Sequence, residues 1–485
     1  MKYQSTRSEY TVSPKQAVLE GIAPDGGLYV CPDVCETKID VSGLMMLDTY
    51  DIAAIILNSL LPGYDNMREL VEKAYDGKFA CEDLTPVSEL GVDYALELFH
   101  GPTSAFKDVA LSMLPHLMTE AKKSLGIEED LVILTATSGD TGKAALEGFK
   151  DVEGTQICVF YPNGGVSAVQ QLQMITTSGK NVHVCAVDGN FDDCQTAVKN
   201  VFVKLKNSKE IRLSSANSIN IGRLAPQVVY YFLAYKQLVE TQCIELGQPI
   251  DFIVPTGNFG DILAGFYAKV MGLPVGKLVC ASNDNNVLTD FFNTGIYNRN
   301  RQFFKTTSPS MDILVSSNLE RLLFHVCDGD TKYVASLMED LKTKGEYGVS
   351  DTIKKRLAQV FDAGFADEET VSKTIGDIWN KFGYIIDPHT AVGFAVLNEY
   401  RKKTDNPCVV LSTASPYKFP AAVLKGMGKA SVADEFAMMD RLAFETKTEP
   451  PKNLSGLKYI PAIHNSVIKK EELENYIVGL FKKNK

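Results

Sequence analysis

No stretch of the 485 residues approaches the ~20 uninterrupted apolar residues that a membrane-spanning helix needs, so a role inside a bilayer is not expected. Behind the positive charges of the opening segment, MKYQSTRSEY, there is no apolar run, which leaves neither a secretory signal nor a transit peptide and implies a cytoplasmic address. Basic residues are in the minority: 49 Lys and Arg stand against 60 Asp and Glu. A formal charge of -11 argues against wrapping nucleic acid while leaving room for a local basic pocket around a phosphate. The ten cysteines contain no CxxC pair and no Cys/His run, and the six histidines are scattered. Reduced, structural thiols are therefore expected, with Cys158, Cys185, Cys280 and Cys408 as small core residues inside apolar runs, and no metal site. Repeats and low-complexity tracts are lacking as well. What remains is a globular protein of two or three domains that handles a small molecule.

What is present falls into three parts. Residues 1–92 read as a helical N-terminal domain: Ser13 before Pro14 is an N-cap-then-proline helix start, and amphipathic stretches run over roughly 51–61 and 66–75. Residues 93–430 carry apolar β-rich runs alternating with helical ones. LVILTAT (131–137), TQICVFYP (155–162) and NVHVCAVD (181–188) each lead through a glycine-containing turn into a helix, and PIDFIVP (249–255) and PCVVLSTA (407–414) continue the theme. This is the pattern of an α/β core, with open, mostly parallel sheets covered by helices on both faces and ligands bound beyond the carboxyl ends of the strands. A helix-rich insertion is expected over about 319–382, and a polar, helical C-terminal extension over 431–485.

The core is organised around His100–Asp108, HGPTSAFKD. A short strand precedes it, and from Phe106 apolar residues recur at Val109, Ala110, Met113, Leu114, Leu117, Met118 and Ala121, the spacing of a helix with Ser104 available as N-cap. Lys107 then falls in the first turn, where the helix dipole opposes an ammonium and favours a neutral amine or an anionic ligand. A neutral amine attacks carbonyls, which makes Lys107 a candidate for a Schiff base with an aldehyde cofactor; the competing reading is an ordinary solvated lysine.

Three further turns carry polar groups. Thr256-Gly257-Asn258-Phe259-Gly260-Asp261 joins a strand to a helix, and its N–H groups suit a cofactor phosphate, although the spacing is not that of GxGxxG and plain punctuation is the alternative. Ser138–Lys143, SGDTGK, fails the P-loop spacing but offers hydroxyls, amides and a helix start to a carboxylate, or is a structural turn. SSANSINIGR gathers Asn217, Ser218, Asn220 and Arg223, either a clamp for an anion or a polar loop whose amides cap a helix. The hydroxyl-rich stretch Thr306–Arg321 lines a cleft or crosses the surface. Thr413 ends a strand where a hydroxyl faces the ligand crevice and suits a pyridine nitrogen.

Eight blocks in order carry a resemblance: LEGIAPDGGLYV, LELFHGPTSAFKDVAL, ILTATSGDTGKAA, SSANSINIGRLAPQ, IVPTGNFGDILAG, SPSMDILVSSNLERLLF, IIDPHTAVG and LSTASPYKFP. Together they resemble the threonine synthases, pyridoxal-phosphate enzymes of fold type II, the tryptophan-synthase β-subunit fold. The resemblance implies that Lys107 binds pyridoxal 5'-phosphate and that Gly257, Asn258, Phe259, Gly260 and Asp261 cradle its phosphate. Thr413 would face the ring nitrogen, and Asn217, Ser218 and Arg223 would hold the substrate phosphate. Thr137, Ser138 and Asp140 would lie near the substrate carboxylate or the cofactor. The implied reaction turns O-phosphohomoserine and water into threonine and phosphate, in a chain that is a monomer rather than a dimer, as in the longer bacterial and fungal branch. Ser415 departs from the histidine common in the family after Thr-Ala. A phospho-lyase giving 2-oxobutyrate, a serine/threonine dehydratase and a catalytically silent binding protein are the alternatives. The dehydratase would have no use for a phosphate clamp, and Lys107 speaks against the silent relative.

Overall fold

The structure, a computed structural model, describes residues 1–137, 139–205, 212–430 and 434–482. Two parallel sheets dominate. Five strands, in the spatial order Ser466–Lys469, Val182–Asp188, Thr155–Pro162, Leu131–Ala136 and Arg212–Ser214, form one of them, every pairing parallel. The second has six, in the order Phe361–Phe365, Val275–Ser282, Ile250–Pro255, Cys408–Ser412, Asp93–Glu97 and Val87–Leu90, parallel except for the last pair. The central strands are buried along their whole length, which is why they read as unbroken apolar runs rather than as alternation.

The helix Lys107–Ser124 is packed against the helices Asp140–Phe149 and Ile221–Glu240. Its expected apolar stripe is buried, and so are Asp108, Ser112 and Pro115 on the other sides, so the helix is enclosed rather than amphipathic. Pro115 has no N–H to give the Leu111 carbonyl, and Gly148 of the neighbouring helix approaches that oxygen so closely that a Cβ would lie 2.0 Å from it.

Three expectations need correction. The N-terminal region is not purely helical: Thr11–Val12, Tyr3–Ser5 and Tyr29–Val30 form an antiparallel three-stranded sheet, in strands too short to show alternation. The stretch expected as a helical insertion has the helices Leu319–Val326, Thr331–Thr343, Asp351–Val360 and Glu368–Phe382, but Phe361–Phe365 between them is the edge strand of the larger sheet. The C-terminal region likewise supplies Ser466–Lys469, an edge strand with little burial and hence no apolar signature. Among the described residues no helix is long and apolar enough to cross a membrane.

Candidate active site

The carboxyl ends of four strands deliver the site. Asp93–Glu97 leads to the Lys107 loop, Cys408–Ser412 to Thr413, Ile250–Pro255 to the 256–261 turn and Leu131–Ala136 to the turn before Asp140. The first two are laced together: the Phe106 N–H donates to the Thr413 carbonyl at 2.8 Å and the Ser415 N–H to the Ser104 carbonyl at 3.0 Å. Ser104 does not cap the helix as its sequence position suggests. It sits in the left-handed region at φ 59°, its hydroxyl meets Asn453, and Phe106 occupies the cap position without a side-chain bond. The loop is braced instead by Asp108, whose carboxylate accepts the N–H of Thr103 at 2.8 Å and its hydroxyl at 2.5 Å.

Lys107 is half-buried, its amine 3.4 Å from Ser310 Oγ and 4.3 Å from the Phe106 ring centre. Its pKa is lowered to about 8, first by burial among protein atoms and then by Lys418 and Arg223, against the opposing pull of Asp140 and Asp261. Half-buried against Ser310 and Phe106, the amine is not placed as an ordinary surface lysine would be, and its lowered pKa favours the neutral, nucleophilic form.

The 256–261 turn is built to leave donors free. Ser316 Oγ donates to the Gly257 carbonyl at 2.7 Å, and the N–H and side-chain amide of Asn318 take the Asn258 carbonyl at 3.1 and 3.0 Å. Phe259 adopts φ 64° and starts the helix Gly260–Val270, and among the described residues no protein acceptor faces the N–H groups of Gly257, Asn258, Phe259 or Gly260. Gly257 cannot be replaced by a larger residue without movement, because its Cβ would lie 2.6 Å from the Ser310 carbonyl oxygen. The Phe259 side chain points away from this chemistry, into an aromatic cluster with Phe292 and Phe361, so only its backbone belongs to the turn. Asp261 is buried, its carboxyl pushed up to about 6 by that burial, and it accepts the N–H of Ile262.

The 214–223 stretch divides between the two readings of its sequence. Asn220 is a helix cap, accepting from the Gly222 N–H at 2.8 Å and donating to the carbonyls of Val18 and Ser215. Asn217 and Ser218 are half-buried with no side-chain hydrogen bond among the described residues. Arg223 is buried, donates to the Ala216 carbonyl at 2.6 Å, and leaves its Nε without a partner. No carboxylate among the described residues pairs with it, and burial alone pulls its pKa down to about 10. A guanidinium in that position calls for an anion.

In the third turn two of the polar groups are already engaged, which favours its structural reading over a carboxylate site. The Thr137 hydroxyl is spent on its own turn, donating to the Gly139 carbonyl and accepting the N–H groups of Gly139 and Gly142, so it has no capacity for a substrate carboxylate. Asp140 is equally committed: its Oδ1 meets Lys418 Nζ at 2.7 Å in a buried pair and accepts Gln170 Nε2 at 3.2 Å. Burial would raise the Asp140 carboxyl, but Lys418 and Lys107 outweigh it and hold the group well below the usual carboxylate range. An ionised Asp140 repels a substrate carboxylate instead of binding it. Ser138 lies outside the described residues. Thr413 is buried, with no hydrogen-bond partner for its hydroxyl among the described residues.

Comparison with known proteins bears on this constellation. A model of the pyridoxal-phosphate dependent enzyme family matches residues 80–413, the threonine synthase N terminus matches 2–75 and the threonine synthase C-terminal region 390–477. The threonine synthase of Pseudomonas aeruginosa is 40% identical over 440 residues, covering 89% of this chain and 91% of its relative. The chain belongs to the threonine synthase family. Threonine synthase-like 1 of Homo sapiens is also 40% identical, and there the chain spans 59% of the relative's length. The crystal structure of PLP-bound threonine synthase from Brucella melitensis superimposes with a TM-score of 0.88 at 37% identity over 99% of this chain.

As a member of the threonine synthase family the chain is a PLP-dependent lyase of fold type II, and its own residues fit the cofactor. Free N–H groups around Gly257 and a half-buried amine of lowered pKa are what a phosphorylated aldehyde requires. The structure also brings in residues to which the sequence assigned no role: Ser310, His389 with Asp387, and Lys418. The local signals for them were the hydroxyl-rich stretch Thr306–Arg321, which holds Ser310, and Asp387-Pro388, a helix start whose second residue is a histidine.

Proposed function

We propose that the protein converts O-phospho-L-homoserine and water to L-threonine and inorganic phosphate. What supports the reading is a single reactive amine, Lys107, with two separate groups that suit anions: the N–H cradle at 257–260 and the guanidinium of Arg223, which no carboxylate among the described residues pairs. One suits the phosphate of pyridoxal phosphate, the other a substrate phosphate. When bound, the cofactor supplies an aldehyde to hold the substrate amine and a ring that accepts electrons released at Cα.

The chain's own residues then divide the work. Lys107 holds the cofactor through its amine and, once free, removes the Cα proton and moves later protons at Cβ and Cγ. Arg223, Asn217 and Ser218 bind the substrate phosphate and stabilise the charge that gathers on it as it leaves Cγ. Thr413 offers its hydroxyl to the ring nitrogen, a neutral partner that limits the ring's electron demand. Water then adds at Cβ.

The test is a product assay. Incubation of the holoenzyme with O-phosphohomoserine yields threonine and phosphate in equal amounts, and borohydride fixes the cofactor on Lys107. A main product of 2-oxobutyrate would instead make the protein a phospho-lyase that shares both anion sites but adds no water. The reading further takes the protein as a cytoplasmic monomer acting on a small molecule, organised as 1–92, 93–430 and 431–485. Light scattering at twice the 53.2 kDa chain mass would overturn the monomer.

A further inference from the structure

Ser310 touches three parts of the site at once. Its Oγ accepts from Lys107 Nζ at 3.4 Å, its N–H donates to His389 Nε2 at 3.3 Å, and its carbonyl oxygen presses on Gly257. The His389 ring is fixed from behind by Asp387, a fully buried carboxylate that bonds Nδ1 and also accepts the N–H groups of His389 and Thr390. Phe419 packs against the ring, centre to centre 5.0 Å. An ionised carboxylate can only accept, so the imidazole proton sits on Nδ1 and Nε2 is left as an acceptor aimed at Ser310.

We propose that Ser310 is a catalytic residue that orients the Lys107 amine, and that His389, held in its tautomer by Asp387, is the positioning residue that keeps Ser310 against it. The proposal rests on Lys107 being the reacting amine. The hydroxyl accepts one N–H of Lys107, and when the lysine carries its extra proton that bond becomes charge-assisted. Removing the hydroxyl therefore withdraws stabilisation from the charged form. Asp387 is also the cap of the helix Pro388–Tyr400, and in Asp387→Asn an amide oxygen in the Oδ1 position still accepts the Thr390 N–H, so the helix end is kept although the His389 N–H, which shares Oδ2 with Nδ1, loses its acceptor. The new amide can turn an N–H toward Nδ1, which moves the ring proton to Nε2 and sets two donors face to face at Ser310.

The experiment measures acetylation of Lys107 against pH by peptide mass, in the full-length protein freed of cofactor. Ser310→Ala moves the midpoint downward by about 0.5–1 unit, whereas Ser310→Thr, which keeps a hydroxyl, stays with the parent. Asp387→Asn moves it the same way, and the double variant moves no further than Ser310→Ala alone. In the holoenzyme kcat falls ~10-fold or more in Ser310→Ala and Asp387→Asn with KM nearly unchanged. An unmoved midpoint in Ser310→Ala overturns the catalytic assignment, and additive shifts overturn the positioning by His389. Should Asp387→Asn fail to fold, the Ser310→Ala and Ser310→Thr pair still decides. A parent whose cofactor is not fixed on Lys107 by borohydride refutes the functional reading instead, so the two failures are distinct.

Discussion

Replacing Lys418 by methionine isolates the buried ion pair at the site. The change removes the ammonium, 2.7 Å from Asp140 and fully enclosed, while keeping most of the side-chain volume. Among the described residues Asp140 keeps one side-chain hydrogen bond, from the neutral amide of Gln170 at 3.2 Å, and the Thr103 carbonyl loses the donor it had at 3.0 Å. Breaking one side of such a pair costs ~3–5 kcal/mol, because an uncompensated charge stays buried. With ~2.1 cal/mol/K of unfolding entropy per residue, 485 residues lose about 1 kcal/mol for each degree, so melting falls by ~3–5 °C. The pH dependence has a definite sign. The native pair holds the Asp140 carboxyl below its usual range, a stabilisation present above the unfolded carboxylate pKa and lost only as pH falls through the depressed value. In Lys418→Met burial is opposed by Lys107 without the larger pull of Lys418, so the Asp140 carboxyl rises from its depressed value, takes up a proton at a higher pH than in the parent, and the deficit narrows on acidification. Scanning calorimetry of the parent, both single variants and Asp140→Asn/Lys418→Met gives the cycle, and the double variant recovers most of the loss. A Lys418→Met protein that melts with the parent at neutral pH, or a double variant that loses the sum of the singles, refutes the reasoning.

Three further outcomes follow from the site. Lys107 has its pKa lowered to about 8, so the unfolded chain binds more protons between 8 and the ordinary 10.5 and stability rises with pH across that window. Cofactor-free Lys107→Met therefore melts above the parent at neutral pH, an advantage that fades as pH climbs through the window, while turnover is lost at every pH. Gly257→Ala places a methyl 2.6 Å from the Ser310 carbonyl oxygen, and equilibrium dialysis is expected to show cofactor affinity weakened ~10-fold or more; unchanged affinity would mean the turn does not hold the phosphate. Arg223→Met removes hydrogen bonds to a charged group worth ~1.5–3 kcal/mol, so KM for O-phosphohomoserine rises ~10- to 150-fold with the cofactor retained, and loss of the cofactor instead would contradict the division between the two anion sites.

The sequence made the frame legible because the chemistry of the frame is local. An unbroken apolar strand, a glycine turn and a helix start declare themselves within a dozen residues, and Lys107, Gly257 and Thr413 all stand at such junctions. What failed were inferences about where a side chain is already engaged. Thr137 and Asp140 were expected near the substrate carboxylate or the cofactor, but the hydroxyl of one is consumed by its own turn and the carboxylate of the other by Lys418, almost 280 residues away along the chain. For Phe259 the sequence named the turn and left the direction of the ring open, which the left-handed backbone sends to Phe292 and Phe361. Edge strands such as Phe361–Phe365 and Ser466–Lys469 are too short or too exposed to carry a burial pattern. His389 was hidden for a related reason: a buried histidine is equally compatible with packing, and only its two fixed partners give it a direction.

The spacing of the two proposed anion sites is set by neither of the loops that would form them. Asn318 reaches both with one amide, donating to the Ser218 carbonyl at 3.1 Å and the Asn258 carbonyl at 3.0 Å. Behind it Arg321, completely buried, donates to the Ile219 carbonyl at 2.6 Å and the Tyr29 carbonyl at 2.7 Å, and holds the Asn318 side-chain oxygen as well. Each of these donors meets a carbonyl or amide oxygen, so the guanidinium acts as a brace and not as half of an ion pair, and its burial costs more than a neutral side chain would. That cost is intelligible only if the geometry it fixes matters. A substrate phosphate and a cofactor phosphate must both sit at set distances from one amine, and a shift of about 1 Å in either loop is enough to lower a rate ~100-fold. Through the Tyr29 carbonyl the N-terminal sheet is part of this brace, which ties that region to the geometry of the proposed site.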